Sequence, residues 1–330
     1  MGFVKLVAIR SFNLKPVNPT RPVSHVPSPS KRILITGSNG LLGQKLVYKL
    51  KDRADVELFA TARGANRLLV QEGYTFFSMD IENQSSVDEV MNRVRPDHVI
   101  HAAAMTNVDA CETEHAACDR ANVDAVEYMV RAAERHNAHF VHISTDFIFN
   151  GEDGPYYEDA KPDPVSYYGN SKLKGELIVQ GSALKWAILR TVLVYGVVDN
   201  MSRSNIVLWA KGALEKGQPI NVVDDQVRCP TLAEDLADGC ILAVDLNATG
   251  IYNICGKDAL NIIEIVQQVA EHYGLDKRLI NPVSSATLNQ AAKRPPRTHM
   301  PIDKAFRELG YKPHSFREGI AIVEEQVSVT

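Results

Sequence analysis

Apolar runs of strand length alternate with helical periodicity along most of this chain. Arg32–Thr36 reads as a buried strand and Leu41–Lys51 as the amphipathic helix it feeds. Val56–Thr61 and Phe76–Ser78 read as the next strands, the second running to Asp80. Ser85–Arg95 has helical spacing, His98–Ala103 is a strand, Ala116–His136 a long helix and Phe140–Ser144 another strand. Continuous apolar strands such as His98–Ala103 fit burial on both faces. The alternation predicts an α/β fold with a doubly wound parallel sheet.

Beyond these, Lys172–Gln180 is expected to be helical, and Trp186–Arg190, Ile220–Val223 and Gly250–Ile254 to be strands. Helices are expected near Ser204–Lys216, Ala233–Val244 and Ile262–Tyr273. Asn281–Pro301, rich in Pro, Ser and Arg, reads as an irregular loop over a surface or a site. The organisation expected is a core over 32–200 and a smaller C-terminal lobe over 201–330, interwoven with it.

The segment 1–31 stands apart. Met1 to Arg32 carries Lys5, Arg10, Lys15, Arg21, Lys31 and Arg32 but no Asp or Glu, and five prolines from Pro16 to Pro29 break any helix. An acid-free, Arg- and Ser-containing leader has the composition of an organellar transit peptide; a disordered extension or an overlong start is the plainer reading, and the one preferred here.

Gly37, Gly40 and Gly43 stand at G-x-x-G-x-x-G spacing between the first strand and its helix. Glycines there permit a tight turn and close backbone approach to a pyrophosphate, and the helix N-terminus offers free N–H groups. The sheet is therefore expected to be Rossmann-type, with Gly37, Asn39, Gly40, Leu41, Leu42 and Gly43 against a dinucleotide. The second strand ends in Thr61-Ala62-Arg63, a cation where a carboxylate would hold the ribose of NAD. Arg63 suits the 2′-phosphate of NADP(H), with NAD(H) as the alternative. Asp80 and Ile81 are placed to meet the adenine, and Ala102, Ala103 and Ala104 are small enough to let a dinucleotide lie on the backbone.

Tyr168 and Lys172, at i and i+4, share a helical face, and Ser144-Thr145-Asp146 ends the strand before them. A nearby ammonium favours the phenolate, so Lys172 is expected to lower the Tyr168 pKa and make it a usable acid. Thr145 is placed to orient a carbonyl oxygen.

These motifs together resemble the extended short-chain dehydrogenase/reductase family, and within it the dTDP-4-dehydrorhamnose reductases. The likeness runs from Arg32 to the C-terminus through Gly37–Gly43, His101–Asp109, Ser144–Phe149, Pro164–Glu176, Val222–Gln226 and Pro230-Thr231. The resemblance implies that Thr145, Tyr168 and Lys172 are catalytic, that Thr106 lies near the cofactor, and that Met105, Asn107, Val108 and Phe147 lie near the sugar. It implies NADPH-dependent reduction of the 4-keto group of a nucleotide-activated 6-deoxy sugar. Arg228 departs from the small residue usual there, and with Arg294 it is a candidate grip on the substrate's diphosphate, the plainer reading being two surface charges. Two other readings share the resemblance: an NADP-binding regulatory subunit like the methionine adenosyltransferase β-subunit, and a nucleotide-sugar epimerase or dehydratase.

Bulk properties narrow the classes. Across 330 residues, 45% are hydrophobic and 23% charged, with a net charge of −4, which speaks against nucleic acid as a partner. No apolar run reaches the ~20 residues of a membrane span. Five scattered cysteines, with no C-x-x-C pair, fit reduced thiols in the cytoplasm, and no metal site is expected. A nucleotide-sugar substrate and a homodimer complete the expected partners.

Overall fold

Seven parallel strands make the central sheet of the computed structural model, which describes residues 1–2, 30–200 and 204–329. The strands are β1 (Lys31–Thr36), β2 (Val56–Ala62), β3 (Thr75–Ser78), β4 (His98–His101), β5 (His139–Thr145), β6 (Trp186–Thr191) and β7 (Gly250–Asn253). Their order across the sheet is β7-β6-β5-β4-β1-β2-β3. The chain therefore leaves β1 in one direction for β2 and β3, then crosses to β4 and builds outward on the other side. The crevice where the order reverses lies at the carboxyl ends of β1 and β4, where such sheets bind ligands.

Side-chain alternation splits the core between the two faces. Ile33 and Ile35 of β1 face the helices α1 (Leu41–Leu50) and, far along the chain, Ala233–Asp245, packing with Leu46, Val47, Leu236 and Cys240. Leu34 faces the other way, into Val87, Met91, Met129 and Phe140 under helices Gln84–Val94 and Ala125–His136. Because β7 pairs with β6 in this sheet, the chain returns to the core after residue 200. A further hydrophobic cluster is built on helices Ile206–Glu215, Ile262–His272 and Phe316–Val329.

Several expected elements change shape. The strand expected to reach Ala103 ends at His101, which leaves Ala102–Ala104 as a loop at the crevice. The long helix runs unbroken but is not α-helical throughout: His115–Asp119 and Ala125–His136 are α-helical, and Arg120–Asp124 between them is a π-turn. The segment expected to be wholly irregular after Asn281 contains part of a strand, Ile280–Val283, paired in parallel with Ile220–Val223. The helix carrying Lys172 starts earlier, at Tyr167, capped by the Ser166 hydroxyl on the Gly169 N–H, so Tyr168 and Lys172 do share one helix. Apart from its ends, the acid-free leader lies outside the described residues.

Candidate active site

The glycine turn packs as its spacing requires. Gly37 has φ +71°, and a Cβ there would stand 3.0 Å from the Ala103 backbone. A Cβ at Gly43 would lie 2.2 Å from the Gly37 carbonyl, so only glycine lets the first turn of α1 sit on the loop. Gly40 caps that helix without a side-chain bond, leaving first-turn N–H groups for an anion. Thr36, the last residue of β1, accepts the Ala103 N–H at 3.1 Å and meets His101 Nδ1 at 2.9 Å, drawing Ala102–Ala104 beside the turn. Both ends of the Asn39 amide hold the loop after β2: Nδ2 donates to the Ala65 carbonyl, and Oδ1 accepts from the Arg67 N–H, each at 2.9 Å. Leu42 packs on the core beneath, beside a half-buried Leu41.

Arg63 projects from the end of β2 with its side chain 73% exposed, and only a 3.5 Å contact to Glu82 restrains it. Asp80 accepts the Glu82 N–H at 3.0 Å, and Ile81 packs on the core behind it. The cap of the next helix is Asn83, which leaves Asp80 for other work. These residues fit a dinucleotide: a glycine turn, open helix N–H groups, a small-residue wall and an exposed cation at the end of β2.

Thr145, Tyr168 and Lys172 converge at the carboxyl end of β5. Thr145 and Tyr168 are both buried, and Thr145 acts on the phenol by lowering its pKa. Lys172 is 4% exposed and donates to the Ile143 carbonyl at 2.8 Å. Burial pushes the Lys172 ammonium down to about 8, against the pull of Glu176. The Tyr168 phenol moves opposite to expectation. Burial raises it, the Asp146 carboxylate adds to the rise, and Thr145 offsets part of it. Lys172 spends its ammonium on the Ile143 carbonyl instead of on the phenol.

Asn122, in the π-turn, was not singled out by sequence pattern, yet it organises the site. Its amide donates to the Met105 carbonyl at 3.0 Å and to Ser171 Oγ at 3.0 Å, and accepts the Met105 N–H at 2.9 Å. It thereby ties the Met105–Val108 loop to the helix of Tyr168. A single π-turn inside a helix is rare and frequently marks a functional site. Asn107 caps the helix Val108–Thr113, and Val108, Met105 and Phe147 pack around Tyr168 with Cys111 and Cys118.

The two arginines part ways. Arg228 is 3% exposed, and its donors go to the carbonyls of Val227, Pro295 and Pro296 and to Gln226 Oε1. Its Nε faces Asp146 at 3.6 Å. It anchors the 292–298 strap, so neither the diphosphate grip nor the surface-charge reading describes it. Arg294 meets Asp109 at 2.7 Å and lines a cavity of about 430 Å³ with Lys293, Gln226, Asn150 and Ser285.

Residues 31–328 match the family described as RmlD substrate binding domain. The chain belongs to this family. It is 31% identical over 292 residues to the spore coat polysaccharide biosynthesis protein SpsK of Bacillus subtilis (strain 168), covering 88% of this chain and 95% of that one. It is 28% identical to methionine adenosyltransferase 2 subunit beta of Xenopus laevis, covering 81% and 79%. Among solved structures, a dTDP-4-dehydrorhamnose reductase from Bacillus anthracis in complex with NADP superposes with a TM-score of 0.77 at 27% identity, covering 90% of this chain and 99% of that one. This RmlD-like chain is an extended short-chain dehydrogenase/reductase, an NAD(P)-dependent oxidoreductase. Among its described residues no helix is long and apolar enough to cross a membrane.

Proposed function

We propose that this chain uses NADPH to reduce the 4-keto group of a nucleotide-activated 6-deoxy sugar, dTDP-4-dehydro-L-rhamnose first, to give dTDP-L-rhamnose. The observation that carries this reading is the convergence of Thr145, Tyr168 and Lys172 beside the glycine turn. NADPH, when bound, supplies the hydride for C4. Tyr168 donates its proton to O4 as charge develops there, and Thr145 holds phenol and carbonyl oxygen in line. Lys172, fixed by its bond to the Ile143 carbonyl, would hold the nicotinamide ribose of the cofactor. Arg63, with no carboxylate at the end of β2, favours NADP over NAD, which remains usable. Arg294 and Lys293 give the strap cavity the charge a diphosphate needs.

The test is sugar-dependent oxidation of NADPH, with the keto sugar generated in situ. Tyr168→Phe should abolish it while NADPH still binds; turnover at the wild-type rate would refute the assignment. The likeness to the methionine adenosyltransferase β-subunit keeps one rival in view. Tight NADPH binding without turnover, together with a co-purifying partner enzyme, would favour that rival.

A further inference from the structure

Asp146 sits next to Thr145 in sequence, yet its contacts reach across the molecule. It is 2% exposed. One carboxylate oxygen, Oδ1, accepts the Thr145 hydroxyl at 3.1 Å. The other, Oδ2, accepts the Thr298 hydroxyl at 2.5 Å and faces Arg228 Nε at 3.6 Å. Thr298 is fully buried and belongs to the strap, which Arg228 clamps through the Pro295 carbonyl at 2.7 Å. The strap's backbone is pinned on both sides of Arg297: Val227 N–H donates to the Pro296 carbonyl at 2.8 Å, and Thr298 N–H to the Val227 carbonyl at 3.1 Å. The same strap carries Lys293 and Arg294 along the cavity wall.

A threonine hydroxyl has one proton. While Asp146 takes it, Thr145 presents only lone pairs, one of which accepts the Phe147 N–H at 3.2 Å. How firmly Asp146 holds that proton depends on what balances its other oxygen. Thr298, on the strap, and Arg228, which clamps it, supply that balance.

We propose that Asp146 is a positioning residue that couples the strap to the Thr145 hydroxyl, with Thr298 as the second arm of the coupling. A seated strap satisfies Oδ2, loosens the hold of Oδ1 on the Thr145 proton, and frees that hydroxyl to turn to the carbonyl oxygen. A displaced strap leaves a buried carboxylate short of donors, which then grips Thr145 harder. Binding along the cavity is in this way felt at the reacting end, as expected when remote binding energy serves the chemical step.

The inference rests on the reductase reading, so its test has two arms. The first measures kcat and KM for Thr298→Val and Thr298→Ser with NADPH and the keto sugar. Valine matches threonine in size but cannot donate. It should lower kcat about tenfold, the scale of one lost charged hydrogen bond, leave KM within about twofold, and serine should restore kcat. The second arm needs no substrate. In protein carrying ¹³C-methyl threonine, the Thr145 signal, assigned with Thr145→Ser, should move in Thr298→Val and in Asp146→Asn, and return in Thr298→Ser. Unchanged kcat in Thr298→Val, or a Thr145 signal indifferent to position 298, overturns the coupling. Absence of turnover in the wild type defeats the reductase reading alone, and the spectroscopic arm still decides the link. If Thr298→Val fails to fold, Thr298→Ala, which also removes the hydroxyl on Oδ2, decides it: an unmoved Thr145 signal overturns the coupling.

Discussion

Lowering the pH should unfold this protein through four buried histidines stacked between two neighbouring strands. The β4–β5 register sets His98 against His139 and His101 against His142. His98 and His139 approach Nδ1 to Nδ1 at 3.3 Å, and the rings of His101 and His142 stack at 5.6 Å. Burial pushes His98 down to about 4 and His101 to about 3, with His139 and Lys172 respectively adding charge repulsion. His139 and His142 shift the same way. An unfolded histidine titrates near ~6.5. Each folded value lies below that, so between the two the unfolded chain binds the proton and the folded chain does not. Stability is therefore whole above about pH 6.5 and falls as the pH drops from there toward the folded values. At about pH 4.5, His98 and His101 each contribute about 2–3 kcal/mol of loss, about 5 together, at ~1.36 kcal/mol per pKa unit. That is comparable with the ~5–15 kcal/mol by which domains are stable. Asp146 and Asp235, whose carboxyls burial raises, act in the opposite sense, because their folded forms bind protons first. The comparison that isolates the histidines is wild type against His98→Asn/His101→Asn, which keeps a polar group near each Nδ1. Urea unfolding followed by circular dichroism at pH values from about 7.5 to 4.5 measures the slope. The double variant should start less stable but lose about 5 kcal/mol less over that range. Parallel curves for the two proteins would sink the reasoning.

Other outcomes follow from single contacts. Gly43→Ala places a Cβ 2.2 Å from the Gly37 carbonyl, so NADPH fluorescence titration should show affinity reduced at least about tenfold, with a lower Tm. Glu176→Gln strips the charge partner from Arg190, which is 2% exposed and bonded to both Glu176 oxygens at 3.0 and 2.8 Å. The loss should be about 3–5 kcal/mol, and an unfolding midpoint near wild type would contradict it. Arg63→Ala should raise the KM for NADPH about tenfold and leave that for NADH unchanged, the scale of a charged hydrogen bond; equal effects on both cofactors would remove Arg63 from the phosphate. Asn122→Leu should cut kcat and loosen the Met105 loop, visible as faster amide exchange at Met105, because four hydrogen bonds depend on that one amide.

What could be read along the chain was what depends on near neighbours. The glycine turn is set by seven consecutive residues, and the Tyr168–Lys172 pair by one helical turn. The parallel sheet is announced by runs of residues buried on both faces, such as β4 with all four residues buried. The misses have a common cause in contacts between distant segments. Asn122 looks like any polar helix residue until the π-turn directs it at Met105 and at Ser171, 49 positions away. Ile280–Val283 contains Pro282, which reads as a loop, and forms a strand only because Ile220–Val223 lies beside it. Tyr168 was expected to be governed by the lysine four residues on, but solvent exclusion by the surrounding fold dominates.

The same distinction separates the chemistry from the substrate. Hydride and proton transfer need groups that local spacing delivers, and those groups converge. The cavity needs the strap, and the strap's partners lie far off in the chain: Arg294 to Asp109 spans 185 positions, Thr298 to Asp146 spans 152, and Arg228 to Pro295 spans 67. A lone arginine in a sequence carries no sign of which carboxylate or carbonyl will claim it. Arg228 was a candidate for the diphosphate and is instead consumed by the backbone of the strap; Arg294, in the same strap, remains at the cavity with Asp109 as its rival for an anion. If Arg294 grips the substrate's diphosphate as proposed, that anion has to outcompete the Asp109 carboxylate for it. Asp109→Asn, which removes the rival charge but keeps an acceptor for the Ala292 N–H that Asp109 now binds at 3.0 Å, should therefore lower the KM for the sugar nucleotide and leave kcat near wild type. A raised KM would mean that Asp109 holds Arg294 in its working position instead of competing for it.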